Sequence, residues 1–283
     1  MDISSDMIKK LREKTGAGMM DCKRALETTG GDMDKAIEHL RKKGAAIAQK
    51  RSDRTAKEGV IVTRVGNSGK TGVILEVNCE TDFVGRSDDF IRFAQSVAEA
   101  IEIHKPKSLE TIPGLEDGSG KKVANLMNDV LAKVGEKVDI RRFMVYESAD
   151  GIVCSYTHLG NRIGVLVELD GVAANAPVAR DVAMQIAAMN PAVVLREQID
   201  KEWVERELDI YRTQAKNEGK PAQILEKIAQ GKLEKFYQEV VLTEQTFIKD
   251  PGKTIRDVLR ETNPASPVVV KRFQRFHLGE ETR

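Results

Sequence analysis

Side chains able to do chemistry are few and scattered in this chain. The four histidines, His39, His104, His158 and His277, lie far apart. None forms an H-E-x-x-H pair or another close spacing that would put two imidazoles on one metal. Cys22, Cys79 and Cys154 are as widely separated, which gives neither a disulfide framework nor a metal-binding spacing. Gly69-Lys70-Thr71 invites a phosphate-loop reading. That loop needs a glycine five positions before Gly69, where Arg64 stands, and a helix afterwards, where residues 72–77 read as strand. Lys70 is therefore expected in a hairpin turn. No G-x-S-x-G occurs, and no cysteine has a plausible base beside it. Cys79 and Cys154 fall at strand positions, where a thiol behaves as a small buried hydrophobe. No catalytic residue, metal or cofactor is expected.

Two other places are odd for a purely structural reading. Met19 and Met20 are adjacent at a loop-to-helix junction and cannot both face a small core. Flexible thioethers suit partner surfaces, although one methionine filling the core and the other being incidental accounts for them equally. Arg12 and Lys9 lie one helical face away. The second place is the stretch 78–84, Asn-Cys-Glu-Thr-Asp-Phe-Val, which precedes a helix opened by Ser87 with Asp88 and Asp89 in its first turn. Thr81, Asp82, Phe83 and Val84 are expected in a loop. Residue physics favours Phe83 folding back into the core. The alternative is an apolar wedge aimed at another protein.

These sites need elements to hold them. Residues 1–45 read as three short helices. Ser4 or Ser5 caps the first, and Ile8 and Leu11 recur at helical spacing. Gly16-Ala17-Gly18 stops it. Asp21 is expected to cap the second, with Ala25 and Leu26 apolar. Asp32 or Asp34 opens the third, with Ala36, Ile37 and Leu40 on one face. So few apolar positions make a small, marginal unit.

Then comes a duplication visible within the chain itself. Gly59-Val60-Ile61-Val62-Thr63 and Gly72-Val73-Ile74-Leu75-Glu76-Val77 recur 92 positions on, as Gly151-Ile152-Val153-Cys154-Ser155 and Gly164-Val165-Leu166-Val167-Glu168-Leu169. Each pair reads as a β-hairpin. Each is followed by a helical pattern: Phe90, Phe93, Ala94, Val97 and Ile101, then Val178, Val182, Ala183 and Ile186. Ile140-Arg141-Arg142-Phe143 and Val270-Lys271-Arg272-Phe273 close the repeats as related strands. The fold class is α+β, with two β-β-α-β subdomains of antiparallel sheet. Asp82-Phe83 has no match in the second copy, where Ala174-Asn175 stand. That asymmetry assigns the 81–84 segment a task beyond the shared scaffold.

The second copy is longer, and its surplus falls at 197–240. Val204, Leu208, Tyr211 and Ala215, then Ile224, Leu225, Ile228, Leu233 and Phe236, predict two antiparallel helices turning at 217–221. Such a hairpin has little core of its own. It leans on a partner or a second copy, or serves as decoration.

The 283 residues, 45 basic and 44 acidic, carry a formal net charge of +1, which excludes a globally basic nucleic-acid binder. No apolar run approaches a membrane span and the first residues lack a signal-peptide stretch, so a reducing cytosol is expected. Charge is uneven, however. Segment 41–57 holds Arg41, Lys42, Lys43, Lys50, Arg51, Arg54 and Lys57 against Asp53 alone. It can track phosphates. With no interleaved aromatics, a solvated helix end running into a linker is favoured.

Leu11-Arg12-Glu13-Lys14-Thr15-Gly16-Ala17-Gly18-Met19-Met20-Asp21-Cys22-Lys23 and Glu76-Val77-Asn78-Cys79-Glu80-Thr81-Asp82-Phe83-Val84 resemble the two signatures of the elongation factor Ts family. Its members are guanine-nucleotide exchange factors for elongation factor Tu. The resemblance covers essentially the whole chain. It implies a ubiquitin-associated-like helical domain at 1–45, a basic linker at 46–57 and a core subdomain at 58–149. A second core subdomain with a C-terminal module takes 150–196 and 241–283, and an inserted coiled-coil hairpin takes 197–240. The 105–121 stretch shows no motif that places it. By the same resemblance, Arg12, Met19 and Met20 grip the partner's GTPase domain. Asp82 and Phe83, flanked by Thr81 and Val84, intrude near its magnesium site, and His158 adds a contact from the second subdomain. The C-terminal module, with 253–259 on a short helix, helps hold the nucleotide-binding domain. The resemblance implies action in the cytoplasm without cofactor, membrane or direct nucleic-acid contact, and is compatible with a dimer of heterodimers. An RNA-associated factor using 41–57 is the alternative function.

Overall fold

The computed structural model describes residues 3–50, 54–173 and 175–281, with the side chains of 44–50 left out. Ser4 accepts the Met7 N–H and starts α1 (Ser5–Thr15); Gly16, at φ 68°, ends it in the left-handed conformation that glycine adopts without steric cost. Helix α2 (Met19–Thr28) begins earlier than expected. Its N-cap is Gly18, and Asp21 lies inside the first turn, where it pairs with Arg24 (2.7 Å) and Lys43 (2.6 Å) instead of capping. Asp32 accepts the Asp34 and Lys35 N–H groups and opens α3 (Met33–Lys50), which runs through the first part of the segment expected as linker. Leu11, Cys22, Ala25, Leu26, Ala36 and Leu40 form the core of this helical unit. In the basic stretch, Arg41 pairs with Asp129, Lys42 with Glu38, Lys43 with Asp21 and Arg54 with Glu80. Arg51, Ser52, Asp53 and Ala174, with the Lys50 side chain, lie outside the described residues.

Strands β1 (Glu58–Val65) and β2 (Thr71–Cys79) form the first hairpin. A single turn, α4 (Asp82–Gly85), leads into α5 (Asp88–His104), capped by Ser87. A 3-10 turn over Leu109–Gly114 and a bridge between Glu116 and Lys122 order the stretch that sequence could not place. Helix α6 (Val123–Val134) and strand β3 (Val138–Glu147) follow, giving sheet order β1-β2-β3. In the second copy, β4 (Ile152–Thr157) and β5 (Ile163–Asp170) precede α7 (Pro177–Met189) and the hairpin helices α8 (Lys201–Asn217) and α9 (Ala222–Val240). Then come β6 (Thr246–Phe247), β7 (Asp250–Thr254), α10 (Ile255–Thr262) and β8 (Val269–His277). The second main sheet has the order β4-β5-β8.

The copies correspond in detail. Both sheets shift register at the same place, after Glu76 in one and Glu168 in the other. The bulge brings Glu76 to Arg142 and Glu168 to Arg272, each at 2.6 Å. Each arginine then reaches the other copy. Arg142 donates to the His277 carbonyl and lies 4.2 Å over the Phe276 ring; Arg272 donates to the Glu147 carbonyl and lies 4.2 Å over Tyr146. A core of Ile61, Ile74, Tyr146, Val153, Leu166 and Phe276 fills the space between. Gly72 and Gly164 permit the close approach: a Cβ on Gly72 would stand 2.5 Å from Val153, and one on Gly164 2.5 Å from Ile61. The duplicated sheets thus pack about a pseudo-two-fold axis. Their outer faces bury α5 and α7.

The helical unit meets the core at α6. Arg41 reaches Asp129, and Gly16 closes on the Lys133 stem, where a Cβ would stand 2.3 Å from Cε. The Lys133 ammonium continues to Asp89 at the start of α5 (2.9 Å). The hydrogen bond from Lys133, then that from Arg92, holds the Asp89 carboxyl below the usual carboxylate range. A carboxyl depressed on folding stabilises the native state above its unfolded pKa of about 4, and that contribution is lost as pH falls through the lower folded value. Asp89→Asn is therefore expected to melt below wild type at pH 5–7, with the gap closing under acid. A gap that widens toward low pH in paired thermal melts would contradict the pairing.

Candidate partner-binding site

Strand β2 delivers the chain to α4 through a set of anchors. The Thr81 N–H and hydroxyl both donate to the Glu136 carboxylate, at 2.9 and 2.7 Å. The Thr81 Oγ1 also accepts the Val84 N–H and caps the turn. Glu80 accepts the Lys137 N–H at 2.7 Å and pairs with Arg54. The Cys79 thiol donates to the Thr81 carbonyl; burial above all, then the Glu136 and Glu58 carboxylates, pushes its pKa up to about 12. This sulfur is a buried filler and not a nucleophile.

Residues 81–84 were expected in a loop, but Asp82–Gly85 is one turn of α-helix. The turn decides which side chain goes in. Val84 packs on the core of the first sheet and α5, and Gly85 is buried against the Gly59 backbone, with its Cβ position 3.3 Å away. Asp82 sits at the positive end of the turn and pairs with Arg86 at 2.9 Å. Phe83 is left pointing outward, 83% exposed. The fold-back favoured by residue physics is thereby overturned: Val84 and Gly85 occupy the inner side of the turn.

His158 lies at the turn joining β4 to β5, exposed, with Nδ1 3.0 Å from the Tyr156 hydroxyl. Residues 160–162 of that turn and Asp82, Gly85 and Arg86 line one cleft. The structure therefore brings Thr81, Asp82, Phe83, Val84 and the His158 turn to one region. Arg12, Met19 and Met20 lie on α1 and α2 instead. All three are exposed, the methionines by 44% and 62%, so neither methionine fills the core. Segment 253–259 straddles β7 and the first turns of α10, which Thr254 caps with Asp257. Sequence reasoning missed Glu136, which carries no local signal 55 residues from Thr81. It also missed Arg86, although Asp82 four positions earlier is a readable helical ion pair.

Among the described residues no group of three or more His, Cys, Asp or Glu could hold a metal, and no helix is long and apolar enough to cross a membrane. Lys70 spends its ammonium on the carbonyls of Ala149, Asp150 and Gly151, and the following residues are strand β2. Comparison with known proteins gives the family. The model of the family described as "Elongation factor TS" matches residues 80–280. Elongation factor Ts of Prosthecochloris aestuarii is 48% identical, over 98% of this chain and 99% of that protein. Elongation factor Ts of Chlorobium phaeobacteroides is 45% identical over the same shares. That of Clostridium perfringens is 44% identical over 98% and 93%. The chain belongs to the elongation factor Ts family.

Proposed function

We propose that this protein binds elongation factor Tu in the cytoplasm and promotes release of its GDP, so that GTP can take the site during translation elongation. The observation that carries this reading is the outward Phe83 on an anchored turn, 83% exposed beside Asp82. A large ring on a rigid turn has lost most of its freedom before binding, so little ordering cost remains to be met. Phe83 enters the GTPase near its magnesium site, with Asp82 alongside and Thr81 and Val84 holding the turn. Displacing the groups that hold the cation removes charge neutralisation from the diphosphate.

The mechanism is differential binding without covalent chemistry. Burying one phenylalanine supplies about 1.5–3 kcal/mol, and each 1.4 kcal/mol weakens GDP about tenfold. The rest of the effect comes from a broad grip: Arg12, Met19 and Met20 on the helical unit, His158 on the second copy, and the C-terminal module. Linkage requires that GDP and GTP each weaken the factor as much as the factor weakens them. The division into a helical domain at 1–45, a linker at 46–57, two core subdomains and a hairpin at 197–240 belongs to the same proposal. The test is release of labelled GDP from elongation factor Tu, with and without the protein. No acceleration would refute the reading.

The hairpin is secondary in this scheme. Its base is a cluster of Ile199, Leu233, Phe236 and Val241, with Trp203 edge-on to Phe236 at 5.1 Å. Replacing residues 209–229 by a short turn keeps that cluster. The trimmed protein is expected to retain at least about half of the release stimulation, a barrier change of under about 0.5 kcal/mol. Complete loss in a folded trimmed protein would make the hairpin part of the exchange machinery.

A further inference from the structure

The turns joining β1 to β2 and β4 to β5 share one hydrogen-bond pattern, although Gly160 takes φ 83° where Ser68 keeps an ordinary φ. Gly66 N–H donates to the Thr71 carbonyl and Gly69 N–H to Gly66; His158 N–H donates to Ile163 and Asn161 N–H to His158, all within 2.8–3.0 Å. Each turn is also tied to the other copy at 2.7 Å, through Val153 N–H to the Gly69 carbonyl and Ile61 N–H to the Asn161 carbonyl. Their tips differ. Where the first copy has Asn67, the second has Leu159, which is 91% exposed. The turn needs no leucine there, since its hydrogen bonds are all backbone and the first copy makes the same set around asparagine. An exposed leucine also gains nothing from its own fold.

Phe83 breaks the internal repeat in the same way, against Asn175 in the second copy. Leu159 and Phe83 are the two most exposed large apolar side chains among the described residues. The pseudo-two-fold packing brings the α4 turn of one copy and the β4–β5 turn of the other to the lining of a single cleft of about 390 Å³. Ion pairs of Glu58 with Arg162 and of Asp82 with Arg86 stand along a lining that is otherwise mostly apolar, with Val60 and Ile91 in it.

We infer that Leu159 is a second apolar contact, gripping the same GTPase that receives Phe83. The partner surface that fits presents two apolar recesses, with polar groups between them that meet the Glu58–Arg162 and Asp82–Arg86 pairs. This inference rests on the exchange function proposed above. Leu159 adds affinity, whereas Phe83 perturbs the nucleotide site, so the two separate kinetically.

The experiment titrates wild type and Leu159→Asn, the residue of the other copy, against elongation factor Tu loaded with fluorescent GDP. Thermal melts run in parallel. The expected result is an unchanged melting temperature, a half-saturating concentration raised about tenfold to a hundredfold, and a maximal release rate within about twofold of wild type. A half-saturating concentration unchanged within about twofold overturns the assignment of Leu159 and leaves the Phe83 reading standing. A fall in maximal rate without a change in half-saturation overturns it as well. Wild type that stimulates no release refutes the exchange function itself, and the Leu159 inference with it.

Discussion

Phe83→Ala is expected to leave the protein folded and to abolish most of its stimulation of GDP release. With the ring 83% exposed, its removal changes stability by no more than about 0.5 kcal/mol. The turn beneath stays, because its anchors are Thr81 on Glu136, Val84 in the core and Gly85 on Gly59. In the complex the variant forfeits the burial of one phenylalanine, about 1.5–3 kcal/mol, so the release rate at saturation falls about ten- to a hundredfold. Urea unfolding and stopped-flow release of fluorescent GDP, run on one preparation, decide the matter. An unchanged rate would remove Phe83 from the mechanism. A large drop in unfolding midpoint would show that the ring supports its own fold.

The largest effect on stability is expected at Glu76. Its side chain is fully buried and accepts Arg142 Nε at 2.6 Å, with Asn78 and Gly279 N–H groups at 3.2 Å. Arg142 itself is only 16% exposed. Glu76→Gln leaves that largely buried guanidinium with only the more distant Glu280 carboxylate, 3.9 Å away, as counter-charge, at a cost of about 3 kcal/mol. The equivalent Glu168→Gln is expected to cost only about 1 kcal/mol, because Arg272 is 49% exposed and water takes over its solvation. Denaturant midpoints of the two variants give the comparison. Equal losses would mean that burial does not set the cost of this repeated pair.

The hairpins were legible because a strand repeats every two residues and both copies keep the same glycines and glutamate. Helix α5 was legible from Ser87 and the spacing of Phe90, Phe93 and Val97. The α4 turn was not. Four residues carry no periodicity, and the direction of Phe83 is set by Glu136 and Gly59, distant in sequence. The start of α2 was misjudged because Asp21 has more use as a partner for Arg24 and Lys43 than as a cap. Duplication could be read from the letters, but not the crossing of Arg142 and Arg272 into opposite copies, since pairing over more than 120 residues leaves no local mark. Leu159 does carry a mark in the letters: it breaks the repeat against Asn67, as Asp82-Phe83 breaks it against Ala174-Asn175.

Those crossing arginines bear on how the chain matures on the ribosome. Three strands of the first sheet exist once residue 147 has been made, yet the carboxylate at position 76 still lacks the Gly279 amide, and Arg142 lacks the His277 carbonyl. A nascent polypeptide halted before these residues should remain open to protease along its earlier half, and acquire resistance only when the final strand emerges from the exit tunnel.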